Sequence, residues 1–448
     1  MNIIKRFISA VFCLFIYRGL SAQPLIETLL NIALENNAQI IAAKANYDSA
    51  AYSALNGGGM YAPGLEIKGS KTTKDEFSNS VTYSQPIPGG TSVQITGSYD
   101  YSSVQMLDTK YETRTPSVSF SVSQSLFPFW MSGHLIDPNL LSYQLQKEYC
   151  YNLLLYEKHN LIRELTQNCI YAVIEYNKIQ SIKNSLNLLQ SQSNALLELK
   201  MSGAINEAKF LELENSKWSY EQDLLTANTN YYEFIQKINT LCNIDYNVLS
   251  EEDIERLIPS CYSIDDFINM VKTVIGNKID PFEASLQLSI QIIENNIISS
   301  KQKGAPALCV SAVVPFDIDN KKPGEWTLNL SLDVSPFFSS IAEHNIAKEQ
   351  LDLQSSRNTY YSYVTKKNFL KKQYELFVHN YDIKIETLAT LISNYEKELN
   401  DTLIQFEKGA VSQIDYETKR VYLENYHLTY ESLIYYSLLY KILIFFVS

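Results

Sequence analysis

Two long tracts of this chain are almost without glycine and proline. Between Asn139 and Ile258 the only such residue is Gly203, and from Phe337 to the C-terminus the only one is Gly409. Loops and turns nearly always need one of the two, so their absence excludes compact domains built from many short elements. It predicts very long helices instead. Asn139 to Ser202 is 64 residues, roughly 95 Å if helical. Positive charge is also scarce, with 37 Lys and Arg against 49 Asp and Glu. Such an acidic chain repels nucleic acid, so DNA and RNA binding are set aside. The five histidines stand far apart with no metal-type spacing. Cys150, Cys169, Cys242, Cys261 and Cys309 form no C-x-x-C pair, which suits buried small hydrophobes better than a disulfide framework. Phosphate-loop, nucleophile-elbow and zinc motifs are missing. Nothing in the sequence asks for catalysis, a cofactor or a metal.

What is present begins with an export signal. Lys5 and Arg6 form a basic start, Phe7 to Tyr17 is mostly apolar and too short to span a bilayer, and Leu20-Ser21-Ala22 supplies small residues before Gln23. This predicts a cleaved signal peptide over residues 1–22, with Arg18 an unusual late charge. The alternative is an N-terminal membrane anchor, which the length disfavours. Cys13 follows Val11-Phe12, an approach unsuited to lipidation. Removing the signal takes the net charge from -12 to 34 − 49 = -15.

The glycine-poor tracts carry a narrow apolar seam in alternating steps of four and three. In the second it runs through Tyr374, Val378, Tyr381, Ile385, Leu388, Ile392, Tyr395, Leu399, Thr402 and Phe406. In the first it runs from Ile162 through Leu165, Cys169, Ala172, Tyr176 and Ile179, then shifts by one at Ile182 before Leu186 and Leu189. This is coiled-coil periodicity. The many tyrosines along the seams suit the edge of a thin core, hydroxyl toward water. Each tract is expected to fold back at its glycine into an αα-hairpin.

The chain is also duplicated. Asn37-Ala38 and Ala62-Pro63-Gly64-Leu65 correspond to Asp280-Pro281 and Ala305-Pro306-Ala307-Leu308, 243 positions later at both ends. The hairpin turns match too: Ser202-Gly203-Ala204-Ile205-Asn206 against Lys408-Gly409-Ala410-Val411-Ser412. Residues 23–262 form the first repeat and 263–448 the second. Each runs through a helix, strands, a long helix, Gly-Ala and a second long helix. The strand segments expected are Leu65–Thr72, Val81–Gln85, Thr91–Ser103 and Ser117–Ser123, then Leu308–Val314 and Trp326–Val334. They alternate apolar with small polar residues, as a membrane barrel requires. One face of a soluble sheet would read the same way. Phe127, Phe129, Trp130, Trp326, Phe337 and Phe338 at strand ends favour the barrel, as an interfacial girdle.

Signal, duplication, strands in each half and two long hairpins with glycine turns together resemble the TolC-like outer membrane factors. The resemblance covers essentially the whole mature chain, although its local motifs are loose. It implies a mixed α+β membrane protein: a trimeric outer-membrane β-barrel continued by a long α-helical barrel, with two structural repeats per chain. In that family three chains give four strands each to a 12-stranded barrel. Four strands alone cannot enclose an aqueous lumen, whereas three copies can. Here the first half has four strand segments of its own. Either two are pieces of long bent strands or one hairpin is an embellishment.

The implied function is passive conduction in an efflux pump or type I secretion system. The implied partners are two further copies of the chain, outer-membrane lipid, a periplasmic adaptor and an inner-membrane transporter. By resemblance, the adaptor contacts fall on Gly203, Ala204, Asn206, Gly409, Ala410 and Ser412. The second turn, Gly409-x-x-Ser412-x-x-Asp415, fits the family's Gly-x-x-Ser/Thr-x-x-Asp pattern, whereas the first has Asn206 and Lys209 at the matching places. An acidic pore constriction carries over to Asp415, with Glu417 nearby and Lys209 a candidate partner. The plain alternative for Asp415 is a helix N-terminal acid. Rival readings are a non-conducting periplasmic coiled-coil protein, a membrane-fusion adaptor, which has only one hairpin, and a chain anchored by Leu433 to Val447. Lys441 interrupts that last run, which is short for a span.

Overall fold

The computed structural model describes residues 25–447, apart from Asn56, Met60, 74–75, 88–89, 107–108, 128–137, 202–206, 245–250, 259–262, 276–279, Gly304, Pro306, 318–321 and 335–339. The expected signal, the first hairpin turn with Gly203, Ala204 and Asn206, and Phe129, Trp130, Phe337 and Phe338 lie outside the described residues. Nine helices are described: α1 (Leu25–Asn36), α2 (Ala38–Leu55), α3 (Pro138–Met201), α4 (Glu207–Cys242), α5 (Glu251–Leu257), α6 (Ile264–Ile275), α7 (Pro281–Lys303), α8 (Ser340–Glu407) and α9 (Gln413–Val447). The strands are β1 (Gly64–Thr73), β2 (Glu76–Ile87), β3 (Thr91–Met106), β4 (Thr109–Phe127), β5 (Ala307–Asp317), β6 (Lys322–Pro323) and β7 (Thr327–Asp333). The chain divides into two compact units.

One unit, comprising residues up to Ala42, Leu155–Asp280 and from Val364 onward, is helical. Its core joins the heptad seam to Ile26, Leu29, Leu30 and Phe267 of the shorter helices. All ten seam positions from Tyr374 to Phe406 are buried or half-buried. In α3 the one-residue shift is real: Ile182 is buried and Lys183 exposed. Helix α3 touches α4 through Tyr171 on Phe234, and α9 through Asn425 Nδ2 donating to Ser185 Oγ at 3.0 Å. Helix α9 in turn touches α8, where Tyr381 stacks on Tyr436 with centroids 5.2 Å apart. The contacts therefore run α4–α3–α9–α8. Burial, with Tyr381 beside it, pushes the Tyr436 hydroxyl up to about 12, so it stays neutral.

The apolar C-terminal run packs into this unit. Leu439 and Ile442 are buried, and Phe446 meets Phe267 of α6 and His159 of α3. By length and composition α9 could cross a membrane. Lys441, the charge that breaks its apolar run, lies 3.4 Å from Asp382, which also accepts a hydrogen bond from Ser437 at 2.7 Å. Asn37 organises the entry to α2. Its side-chain oxygen accepts from the Gln39 and Ile40 N–H groups, and its Nδ2 donates to Leu241 O at 3.1 Å.

The second unit, Ala43–Leu154 and Pro281–Tyr363, holds the sheet. Gly57, Gly58 and Gly59 all have positive φ and turn the chain from α2 toward β1. At Gly58 (φ +64°) a Cβ would lie 2.1 Å from the Tyr143 ring, so only glycine fits. The sheet is antiparallel throughout, in the order β1-β2-β3-β4-β5, with β6 and β7 both on the far edge of β5. Gly324 N–H donates to Pro315 O at 2.7 Å between them, so β6 and β7 are one interrupted edge strand. The first repeat therefore supplies four separate strands, each in its own register with the next. Of the two alternatives, the one in which two segments are pieces of long bent strands does not hold. Strands β2 and β4 also run well past Val81–Gln85 and Ser117–Ser123. Their ends, such as Lys110, Glu112 and Arg114, lack the apolar alternation, and cross-strand pairing extends them.

Candidate conduit surface and hairpin tip

The two faces of the sheet differ in chemistry. Cross-strand pairing places Ile67, Val81, Ile95, Phe120, Phe316 and Leu328 on one face, and all are exposed in the single chain. The other face carries hydroxyls that bond directly across strands. Ser98 and Ser117 Oγ are 2.7 Å apart, Ser92 and Ser123 2.6 Å, and Thr82 and Thr96 3.2 Å; Ser78 donates to Asp100. Most of these hydroxyl residues are half-buried. In the single chain the apolar face is exposed, where a soluble sheet would bury it against a core, and the hydroxyls on the other face bond to one another.

The described hairpin tip is built from local hydrogen bonds. At the end of α8, Gly409 N–H donates to Phe406 O at 2.9 Å and Ala410 N–H to Gln405 O at 2.8 Å. That is a Schellman closure, which needs a left-handed residue; Gly409 has φ +71°. Open space surrounds Gly409, so its conformation and not crowding demands glycine. Ser412 then caps α9. Its Oγ accepts from Asp415 N–H at 3.1 Å and donates to Asp415 Oδ2 at 2.7 Å. Ser412 is thus the N-cap, with Asp415 in the third helical position bonded to its hydroxyl. Phe406 stacks on Tyr416 beneath the turn, centroids 5.5 Å apart.

Each expected site residue can now be placed. Gly409, Ala410, Ser412 and Asp415 share one exposed turn. Asp415 holds the capping position that the plain alternative gave it. Glu417 is half-buried and accepts from Gln413 Nε2 at 3.0 Å. Lys209 lies in the first turn of α4. A residue that the sequence left without a role is Thr418. Its Oγ1 donates to Ile414 O at 2.7 Å, and Gln192 Nε2 of α3 lies 3.2 Å from it, joining the two hairpins. Lys419 Nζ meets Glu398 Oε1 at 2.6 Å and so ties α9 back to α8. Nothing in the local sequence around Gln192 hints at a partner 226 positions away.

No family model matches the chain, and no curated protein does. Solved structures do. The outer-membrane channel OprN matches with TM-score 0.64 at 12% identity, over 94% of this chain and 90% of that one. The Campylobacter jejuni outer membrane channel CmeC matches with TM-score 0.60 at 12% identity, over 94% and 85%. The Vibrio cholerae outer membrane protein VceC matches with TM-score 0.61 at 10% identity, over 94% and 96%. The chain has the TolC-like outer membrane factor fold. At such low identity the likeness is one of fold. The matched TolC-like structures are membrane channels and not enzymes.

Proposed function

We propose that three copies of this chain form an outer-membrane exit duct that passively conducts substrates out of the cell. The observation that carries the reading is the two-faced sheet: exposed apolar side chains on one face, paired hydroxyls on the other. Lipid would cover the first face and water the second. The long hairpins then form a helical tunnel in the periplasm. An inner-membrane transporter of an efflux or type I secretion system supplies the energy, and a periplasmic adaptor grips the tips at Gly203, Ala204, Asn206, Gly409, Ala410 and Ser412. The rival reading, a non-conducting coiled-coil protein, requires a soluble sheet, and the exposed face from Ile67 to Leu328 disfavours it.

Asp415 serves two purposes in this reading. It caps α9 and, three copies together, forms an acidic constriction with Glu417 close by. Crowded carboxylates at a narrow mouth attract cations, because low-dielectric walls focus the field. Lys209 pairs with Asp415 across neighbouring hairpins and holds the closed state, at about 1 kcal/mol per exposed contact. Fractionation tests residence: the mature chain should enter the outer membrane at a native mass of three protomers. A soluble periplasmic monomer would end the reading. In planar bilayers Asp415→Asn should weaken block by divalent cations while keeping the cap. Unchanged block would reduce Asp415 to its capping role alone.

A further inference from the structure

The sheet has two open edges. Among the described residues β1 pairs only with β2, and β7 only with β5. Both edges carry exposed apolar side chains on one face: Ile67 is 73% exposed and Leu330 70%. Unpaired edges of this kind recruit another strand. The internal duplication says which one. The β4–β5 seam joins the last strand of the first repeat to the first strand of the second. Its counterpart, under the duplication, joins the last strand of the second repeat to the first strand of the first. Within one chain those are β7 and β1, which do not meet.

The sequence fixes how they would align. Leu65 and Leu308 stand 243 positions apart, the repeat offset at the start of β1 and β5. At the other edge Val118, Phe120, Val122 and Leu126 fall on Trp326, Leu328, Leu330 and Val334, and Pro128 on Pro336, each 208 positions later. In the observed seam Gln124 faces Val310, Val122 faces Ala312 and Phe120 faces Val314. Carried through both offsets, Leu332 faces Ile67, Leu330 faces Gly69 and Leu328 faces Lys71.

Resting on the duct reading above, we infer that β7 of each copy pairs antiparallel with β1 of the next, Leu332 opposite Ile67. Three copies of six strands then make an eighteen-stranded barrel. The β2–β3 hairpin, which has no counterpart between β5 and β7 in the second repeat, belongs to the barrel wall and is not an embellishment outside it. Parity supports the register. Leu332 and Ile67 both lie on the apolar face, so that face continues unbroken around the ring, whereas a slip of one residue would turn every leucine of β7 inward. Size supports it as well: barrels of 16–18 strands leave an aqueous channel. The helical unit offers its own open edges. Its outer helices α4 and α8 carry exposed residues at seven-residue steps, Leu211, Trp218 and Leu225 on one, Phe369, Leu376 and Ile383 on the other. That spacing is a coiled-coil seam awaiting a partner.

Inter-copy disulfides test the register. Asn329→Cys with Ser70→Cys places one thiol on each edge, opposite one another on the hydroxyl face. Ser331→Cys with Lys68→Cys is a second such pair, should the first disturb folding. Oxidised outer membranes should give a covalent trimer as the largest species, whereas the slipped pair Asn329→Cys with Gly69→Cys and each single variant should stay at protomer mass. Deleting residues 65–87 should lower unitary conductance or prevent assembly. A native outer-membrane trimer that forms neither disulfide, and keeps its conductance without residues 65–87, would overturn the eighteen-stranded wall while leaving the duct reading standing. A soluble monomer would overturn both.

Discussion

The sheet and the helical unit place their apolar residues on opposite sides. In the helices the seam from Ile162 to Ile182 is largely buried and the polar faces meet water. In the sheet the seam of Ile67, Ile95, Phe120 and Leu330 is exposed and the hydroxyls of Ser92, Ser98, Ser117 and Ser123 pair with one another. One chain is therefore written for two solvents. A helical hairpin gains stability by hiding apolar surface from water. The strands gain nothing that way within one chain; in the proposed duct, lipid would cover their apolar face. This is why apolar residues make a core in one unit and a bare face in the other.

The sharpest way to break that contrast is a charge on the bare face. Phe120→Arg should cost about 2–4 kcal/mol of stability if that face lies in lipid at mid-depth. In a water-facing position it would cost almost nothing. Heat-modifiable migration of the membrane-inserted protein, titrated with urea, reads the difference; Ser98→Ala on the opposite face is the mild control.

Acid sharpens the contrast from the helical side. Burial depresses His159 to about 4, outweighing nearby Asp280, which pulls upward, and aided by Arg163. Between pH 6.5 and pH 4 the unfolded chain binds a proton that the folded chain refuses. Stability is therefore complete above pH 6.5 and falls as pH drops, by roughly 3 kcal/mol at pH 4. Thermal unfolding followed by tyrosine circular dichroism should show this loss in the helical unit, and His159→Phe, which keeps a ring against Phe446, should flatten it.

Much of the helical unit was legible because its signal is local. Heptad spacing named every buried seam position between Tyr374 and Phe406, including the tyrosines, and located the shift at Ile182. Ser412 and Asp415 stand three apart before an apolar run, so their cap was legible as well. The sheet was half legible. Alternation named its faces but could not say which met water, because that depends on what covers the sheet. Strand ends around Lys110 to Arg114 were missed because non-local pairing, not pattern, extends them. Lys441 looked like a defect in an apolar helix until Asp382, 59 positions earlier, supplied its partner.

Smaller effects probe the tip against the body of the hairpins. Ser412→Ala should lower stability by about 1 kcal/mol, the usual worth of a helix cap, measurable as a small drop in Tm. Glu398→Gln, which breaks the contact with Lys419, should cost less than about 1 kcal/mol, since both side chains are partly solvated. A larger loss from Glu398→Gln than from Ser412→Ala would mean that the tip is held by the neighbouring helix and not by its own backbone.

The closure at Gly409 makes the tip self-contained. The turn takes its shape from the Gly409 and Ala410 N–H groups, the Ser412 hydroxyl and the Asp415 carboxylate, all within one short stretch. Its outward side chains, among them Ala410 and Gln413, carry no share of the core. They can therefore change without any cost to the closure itself. Long-range ties such as Gln192 to Thr418 begin only one turn further along the helix. The tip is thus an exchangeable head, and transplanting residues 408–415 from another hairpin with the same closure should leave the shaft intact.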